Sequence, residues 1–144
     1  MRVLVDTNVL LRAAEPTHVH HARAVTAIRS LRIAGDALCL VPQVHYEFWV
    51  VATRPVVSNG LGMTADEAEQ SLAQFRPPLY RFHRDERAIY DAWRELVFTH
   101  SVIGKQGHDA RLVAAMQRHG ITHLLTFNVS DFTRFGEISV IEPK

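Results

Sequence analysis

The stretch Val3-Leu4-Val5-Asp6-Thr7-Asn8-Val9-Leu10-Leu11 decides the fold. Three apolar residues run on without a polar break, which suits a strand covered on both faces rather than one open to water on one side. The run stops at an acid, and Thr7-Asn8 supplies turn chemistry before apolar residues resume. Asp6 is a good N-cap for a helix that the pattern starts near Val9. Strand, acidic turn and helix together make the first half of a crossover unit.

The same alternation continues outward along the chain. Short apolar runs at Leu38–Val41, at Leu79–Phe82 after Pro77-Pro78, at 123–126 (His-Leu-Leu-Thr) and at 139–141 (Ser-Val-Ile) read as strands. Helical spacing fills the gaps. One helix is predicted over about 19–33 with Gly35 as its stop, and one from Pro42 to about Thr53, before Pro55. Thr64-Ala65-Asp66-Glu67 is a capping box that starts another. Asp85 is expected to cap a helix running to about His100, and a further helix spans about 106–119, stopped by Gly120. A short turn is expected over 130–135. Strands alternating with helices imply an α/β chain: a three-layer α/β/α sandwich around a mostly parallel sheet of about five strands. Residues 1–144 read as one domain. In such folds ligands sit beyond the carboxyl ends of the strands, at the switch point in strand order.

Composition narrows the function. Of 144 residues 47% are hydrophobic and 22% charged, which excludes general disorder. A net charge of +1 argues against a dedicated nucleic-acid-binding domain, so any contact with a polyanion needs a local patch. Cys39 is the only cysteine, which allows no internal disulfide and fits a reducing cytoplasm. The opening apolar run ends at Asp6 after three residues, so no signal peptide is expected. No stretch approaches the roughly 18 apolar residues of a membrane span.

The acids carry the chemistry. Asp6 stands at the end of the first strand. Glu47 lies in Pro42-Gln43-Val44-His45-Tyr46-Glu47-Phe48-Trp49-Val50-Val51, a helix apolar almost all round, where a carboxylate is costly unless paired or metal-bound. Asp109 comes early in its helix, with Val113 and Met116 continuing its face. Asn128 and Asp131 sit in the turn after the fourth strand. Carboxylates gathered without matching Lys or Arg repel one another, and a hard divalent cation with oxygen ligands resolves that repulsion. Such an ion acidifies a bound water and stabilises charge on an attacked phosphate, which points to phosphodiester hydrolysis. Thr7 and Thr126 are candidates to hydrogen-bond the acids.

In this order the motifs resemble the PIN-domain ribonucleases, particularly the toxins of bacterial VapBC toxin–antitoxin pairs. The resemblance runs along essentially the whole chain, through Val5-Asp6-Thr7-Asn8, Glu47, His108-Asp109-Ala110 and Thr126-Phe127-Asn128-Val129-Ser130-Asp131-Phe132. It implies a Mg²⁺ or Mn²⁺ site with Asp6, Glu47 and Asp109 as metal ligands, endonucleolytic cleavage of RNA, a homodimer, and a cognate antitoxin that blocks the site. The fourth family position is often Asp and is Asn128 here, so Asn128 or Asp131 completes the set.

A housekeeping nuclease or a catalytically silent PIN-like module binding RNA or a protein shares the motifs. An aspartyl phosphatase also has an acid after its first strand, but needs a second acid two residues on, where this chain has Asn8. His18-Val19-His20-His21 reads as a solvated helix start rather than a metal cluster. His45 and His108, with Arg12, Lys105 and Arg111, are candidate RNA contacts. Replacing Asp6 by Ala is expected to remove cleavage with little loss of fold.

Overall fold

Every strand pairing is parallel. A computed structural model describes residues 1–144, and its five strands run β1 (Arg2–Val5), β2 (Ala37–Leu40), β3 (Arg81–Phe82), β4 (His123–Leu125) and β5 (Ser139–Ile141). Their order in the sheet is β3-β2-β1-β4-β5. The chain thus steps from β1 towards one edge through β2 and β3, then crosses back to β4 and β5. The switch point lies between β1 and β4, whose registers pair Val3 with His123 and Val5 with Leu125.

Seven helices connect the strands: α1 (Thr7–Ala13), α2 (His21–Ile33), α3 (Pro42–Thr53), α4 (Ala65–Leu72), α5 (Arg87–Thr99), α6 (Gln106–Arg118) and α7 (Val129–Phe132). Right-handed crossovers place α1–α4 on one face of the sheet and α5–α7 on the other. The packing follows that division: α1 touches α2 and α3, and α3 touches α4, while α5 packs along α6 and α6 meets α7. The result is a three-layer α/β/α sandwich. Val3, Leu4 and Val5 are wholly buried, as are Leu40, Leu124 and Leu125, which explains the unbroken apolar runs. One cluster of 31 buried apolar residues forms the core, with Phe48, Phe132 and Phe135 its largest fully enclosed side chains. No helix is long and apolar enough to cross a membrane.

Boundaries shift where local chemistry competes with periodicity. α1 begins at Thr7, two residues before the predicted start, because Asp6 caps it directly, its carboxylate accepting from the Thr7 N–H at 2.7 Å. The capping box at Thr64 and Glu67 forms as predicted. Asp85 does not cap α5. Glu86 holds the N-cap position without a side-chain bond, and Asp85 pairs with Arg111 at 3.2 Å instead. α2 begins at His21, because the Nδ1 of His18 accepts from the His20 N–H and holds the preceding residues in a turn.

Candidate active site

The sheet delivers Asp6 and Thr126 side by side. β1 and β4 are neighbours, and each ends one residue before a polar side chain at the carboxyl edge. Asp6 is only 7% exposed and Thr126 is fully buried. The Thr126 hydroxyl donates to Asp6 Oδ2 at 2.7 Å, the Asn8 amide donates to the same oxygen at 3.2 Å, and the Thr7 N–H donates to Oδ1. Thr126 Oγ1 in turn accepts from Asn8 Nδ2 and from the Asn128 N–H, both at 3.0 Å. The Phe127 N–H donates to Asn8 Oδ1 at 3.0 Å, so Asn8 stitches the two strand ends together. In the sequence Asn8 shows only that a second acid is missing. In the structure its amide holds Asp6, which leaves nothing at that position to act as the second acid of a phosphatase.

Glu47 comes from α3, and its setting differs from the prediction. The helix buries Val44, Phe48 and Ala52 on its core side, with Trp49 and Val51 packed partly against the core. Glu47 itself is exposed, between Tyr46 and Val50, which are 64% and 54% exposed. The helix is apolar all round because one side meets the core and the other lines a cleft. Gln43, one turn earlier on the same helix, donates its amide to Glu47 Oε1 at 2.8 Å and to the His108 carbonyl at 2.8 Å. Arg111 donates to Gln43 Oε1 at 3.0 Å. Buried Gln43 therefore ties Glu47 to α6, the helix that carries Asp109. The i−4 spacing from Glu47 was the signal that could have found it.

Asp109 sits in the first turn of α6 and is half-buried. Burial, then the charges of Asp131 and Glu47, raise its pKa to about 6. Asp6 is likewise raised to about 6, by burial first and by Glu47 and Asp109 after the opposing pull of its hydrogen bonds. Four carboxylates thus feel one another across the edge: Asp6, Glu47, Asp109 and Asp131. No Lys or Arg pairs with any of them. They are neighbours at the range of charge repulsion rather than a closed cage, for no three His, Cys, Asp or Glu side chains make a ready group of ligands.

Of the two candidates after β4, Asp131 bears on Asp109 through its charge, whereas Asn128 is exposed and only its backbone joins the network. The Thr7 hydroxyl, expected to bond an acid, is buried without a partner, and its backbone N–H makes the contact instead. His45 is turned away from the edge: its Nε2 pairs with the Phe75 carbonyl at 3.0 Å, and its ring packs on Phe82. Arg12 pairs with Glu15, and Arg111 with Asp85. His108 is exposed and lines the clefts on both sides of α6. The early histidines are locally engaged, His20 stacking on Phe127 and His21 meeting the Arg12 carbonyl.

Fold and edge define a class: a parallel α/β/α protein with a cluster of carboxylates at the switch point. A profile of the PIN domain matches residues 3–138, and the chain belongs to the PIN-domain family. It is 30% identical over 131 residues to ribonuclease VapC38 of Mycobacterium tuberculosis, covering 90% of this chain and 87% of that protein. Among solved structures it resembles VapBC2 of Rickettsia felis bound to a promoter DNA fragment, with a TM-score of 0.74 at 15% identity over the whole of both chains. It also resembles M. tuberculosis VapC20, a toxin that cleaves the sarcin–ricin loop, with a TM-score of 0.63 at 16% identity over 85% of this chain and 86% of that one.

Proposed function

We propose that this chain is a metal-dependent endoribonuclease and the toxin of a toxin–antitoxin pair, acting in the cytoplasm as one nuclease domain. One observation carries the reading: Asp6, at the end of β1, and Asp109, in the first turn of α6, lie within charge range of each other at the switch point, their pKa values both raised to about 6 and no Lys or Arg ion-paired to either. The VapC38 resemblance supports RNA as the substrate.

The donor set fits a hard divalent ion, since it is all carboxylate oxygen and the acids repel one another in its absence. Mg²⁺ or Mn²⁺, when bound, would supply Lewis-acid stabilisation of phosphate charge and a water acidic enough to attack near neutral pH. In this reading Asp6 and Asp109 are the principal ligands and Glu47 binds or orients the attacking water. Asp131, rather than Asn128, completes the set. Thr126, Asn8 and the Thr7 N–H fix the Asp6 carboxylate so that one orientation faces the edge. Gln43 fixes Glu47 relative to α6. Partners that supply ligand orientation in this way carry part of a site's activity.

A cognate antitoxin and a second copy of the chain are the expected protein partners. Another structure of this fold is a toxin–antitoxin complex from Klebsiella pneumoniae. This chain leaves Val57, Ile103, Phe98 and Val56 at least 70% exposed.

The reading is tested by incubating a labelled total-RNA pool with purified protein in Mg²⁺, Mn²⁺ or chelator. Discrete cuts that require metal are expected. RNA bound but never cut would make the chain a silent binding module and overturn the proposal. Cutting confined to one RNA-processing site, with no toxicity on expression, would give it a housekeeping role.

A further inference from the structure

Two clefts flank the first turn of α6, and they differ in charge. The one between α3 and α6, about 690 Å³, is lined by Tyr46, Glu47, Val50, Arg54, Lys105 and His108, among others. The one between α5 and α6, about 870 Å³, carries Asp85, Glu86 and Asp91 against Arg87, and shares Arg111 with the first. Arg111 is committed to Asp85 and Gln43. Lys105 and Arg54 make no ion pair, so the α3–α6 cleft keeps two uncommitted cations beside the acidic edge. A polyanion is drawn to this cleft and turned away from its neighbour.

Tyr46 gives the cleft a second character. Tyr46, Val50 and Arg54 lie at i, i+4 and i+8, one stripe along α3 that ends at its C-cap. The Tyr46 ring is adjacent in sequence to Glu47, and no aromatic or cationic side chain covers it. An exposed ring, flanked by free cations and opening onto the acidic edge where water would attack a phosphodiester, has the features of a single-strand site. Aromatic rings stack unpaired bases while cations follow the backbone. A base inside an A-form duplex cannot reach such a ring.

We propose that the α3–α6 cleft binds the nucleotide next to the cleaved phosphate of single-stranded RNA, its base stacked on Tyr46 and its flanking phosphates met by Lys105 and Arg54. The assignment rests on the ribonuclease reading and adds the strand's direction across the edge, over α3 rather than over α5.

The test measures fluorescence anisotropy of a fluorescein-labelled, unstructured RNA of random sequence, binding the full chain in chelator, where no cutting intervenes. Tyr46→Ala is expected to weaken binding about tenfold, the effect of losing one stacked base. Tyr46→Phe keeps the ring and stays within about twofold of wild type. Lys105→Ala and Arg54→Ala each reduce the slope of log affinity against log salt by about 0.7. A DNA oligomer of the same sequence responds to Tyr46→Ala in the same direction, since stacking does not read the 2′-hydroxyl.

Tyr46→Ala binding like wild type overturns the proposal. So does Tyr46→Phe binding as poorly as Tyr46→Ala, which would assign the effect to the hydroxyl. A Tyr46→Ala protein with unchanged RNA affinity but a halved mass by light scattering gives the stripe to a second copy and overturns it as well. The ribonuclease reading fails separately, in the cleavage assay, by absence of metal-dependent cuts whatever the binding result.

Discussion

Asp6 and Asp109 share one edge and are held in opposite ways. Asp6 is locked. One strand end, a helix N-terminus and an amide supply three hydrogen bonds to its two oxygens. Asp109 has charged neighbours and a helix beneath it, but its carboxylate takes part in no side-chain hydrogen bond and is half-exposed. One side of the site is therefore set by the fold, and the other is free to adjust to whatever occupies the edge. Proteins commonly fix a reacting group by surrounding it with donors, and that support gives Asp6 a structural part beside the metal-binding one proposed for it. Asp109 bears little of the fold.

That contrast bears on the Asp6→Ala variant. Asp6→Ala removes a helix cap, at a cost of about 1 kcal/mol, and leaves the donors on Thr7, Asn8 and Thr126 without their acceptor. Loss of activity in Asp6→Ala would therefore not separate chemistry from folding. Asn variants do so better. The largest expected effect is a loss of about 10³-fold in RNA cleavage for either Asp6→Asn or Asp109→Asn, the scale seen when a group facing transition-state charge is removed. Asp109→Asn should also raise the melting temperature of the metal-free protein, since it removes repulsion without removing a bond. A lowered melting temperature would contradict the difference drawn between the two acids.

Next in size is a pH effect on stability. The Asp6 pKa rises on folding from 3.8 to about 6, so its ionised form disfavours the fold above about pH 6. As pH falls through 6 towards 4 the folded chain takes up a proton that the unfolded chain does not, and stability is regained. The amount is about 3 kcal/mol at most, for a shift of about two pH units. Because Glu137, whose pKa is lowered by its bond to His100, loses stability over acid pH, the prediction concerns a difference. Denaturation of wild type minus that of Asp6→Asn, in chelator, should grow in favour of wild type between pH 7 and pH 4. A flat difference contradicts the burial argument.

Removing support from the locked side should matter less than removing the acid. Thr126→Val keeps shape but takes away the hydroxyl that lowers the Asp6 pKa. Cleavage should fall 10- to 100-fold, on the order expected for a partner of a metal ligand. The acid limb of the pH–rate profile should move to higher pH, which a purely structural loss would not produce. Smallest of all is Asn128→Ala. Its side chain is exposed and outside the hydrogen-bond network, so activity and stability should stay within about 0.5 kcal/mol of wild type. Asp131→Asn, acting on Asp109 by charge, should exceed it in the cleavage assay.

The alternation of strands and helices, the carboxyl-edge location of Asp6 and the bounds of α3 were legible because each rests on local signals: unbroken apolar runs, an N-cap, and prolines at both ends of a helix. Glu47 and Asp109 were singled out by their helix contexts, each ambiguous alone, and the order of the motifs joined them. Other features are set by partners distant in sequence. Glu47 sat in apolar surroundings that suggested burial, yet lies exposed on a cleft wall, and only the packing of α3 against α6 reveals which side is which. Gln43 holds Glu47 through His108 and Arg111, more than 60 residues away. The choice between Asn128 and Asp131 depended on where a four-residue helix points its first turn. Asp85 had ideal capping chemistry, but an ion pair with Arg111 claimed it.

The central claim is that a locked acid and an adjustable one hold one divalent ion between them. The most direct measurement is calorimetric titration of Mn²⁺ into wild type, Asp6→Asn and Asp109→Asn, in buffers of differing ionisation enthalpy near pH 6. Wild type should bind with release of protons, since metal must displace them from carboxylates whose pKa lies near 6, and both variants should lose binding and proton release together. Equal Mn²⁺ affinity in all three proteins would place the ion elsewhere and contradict the account.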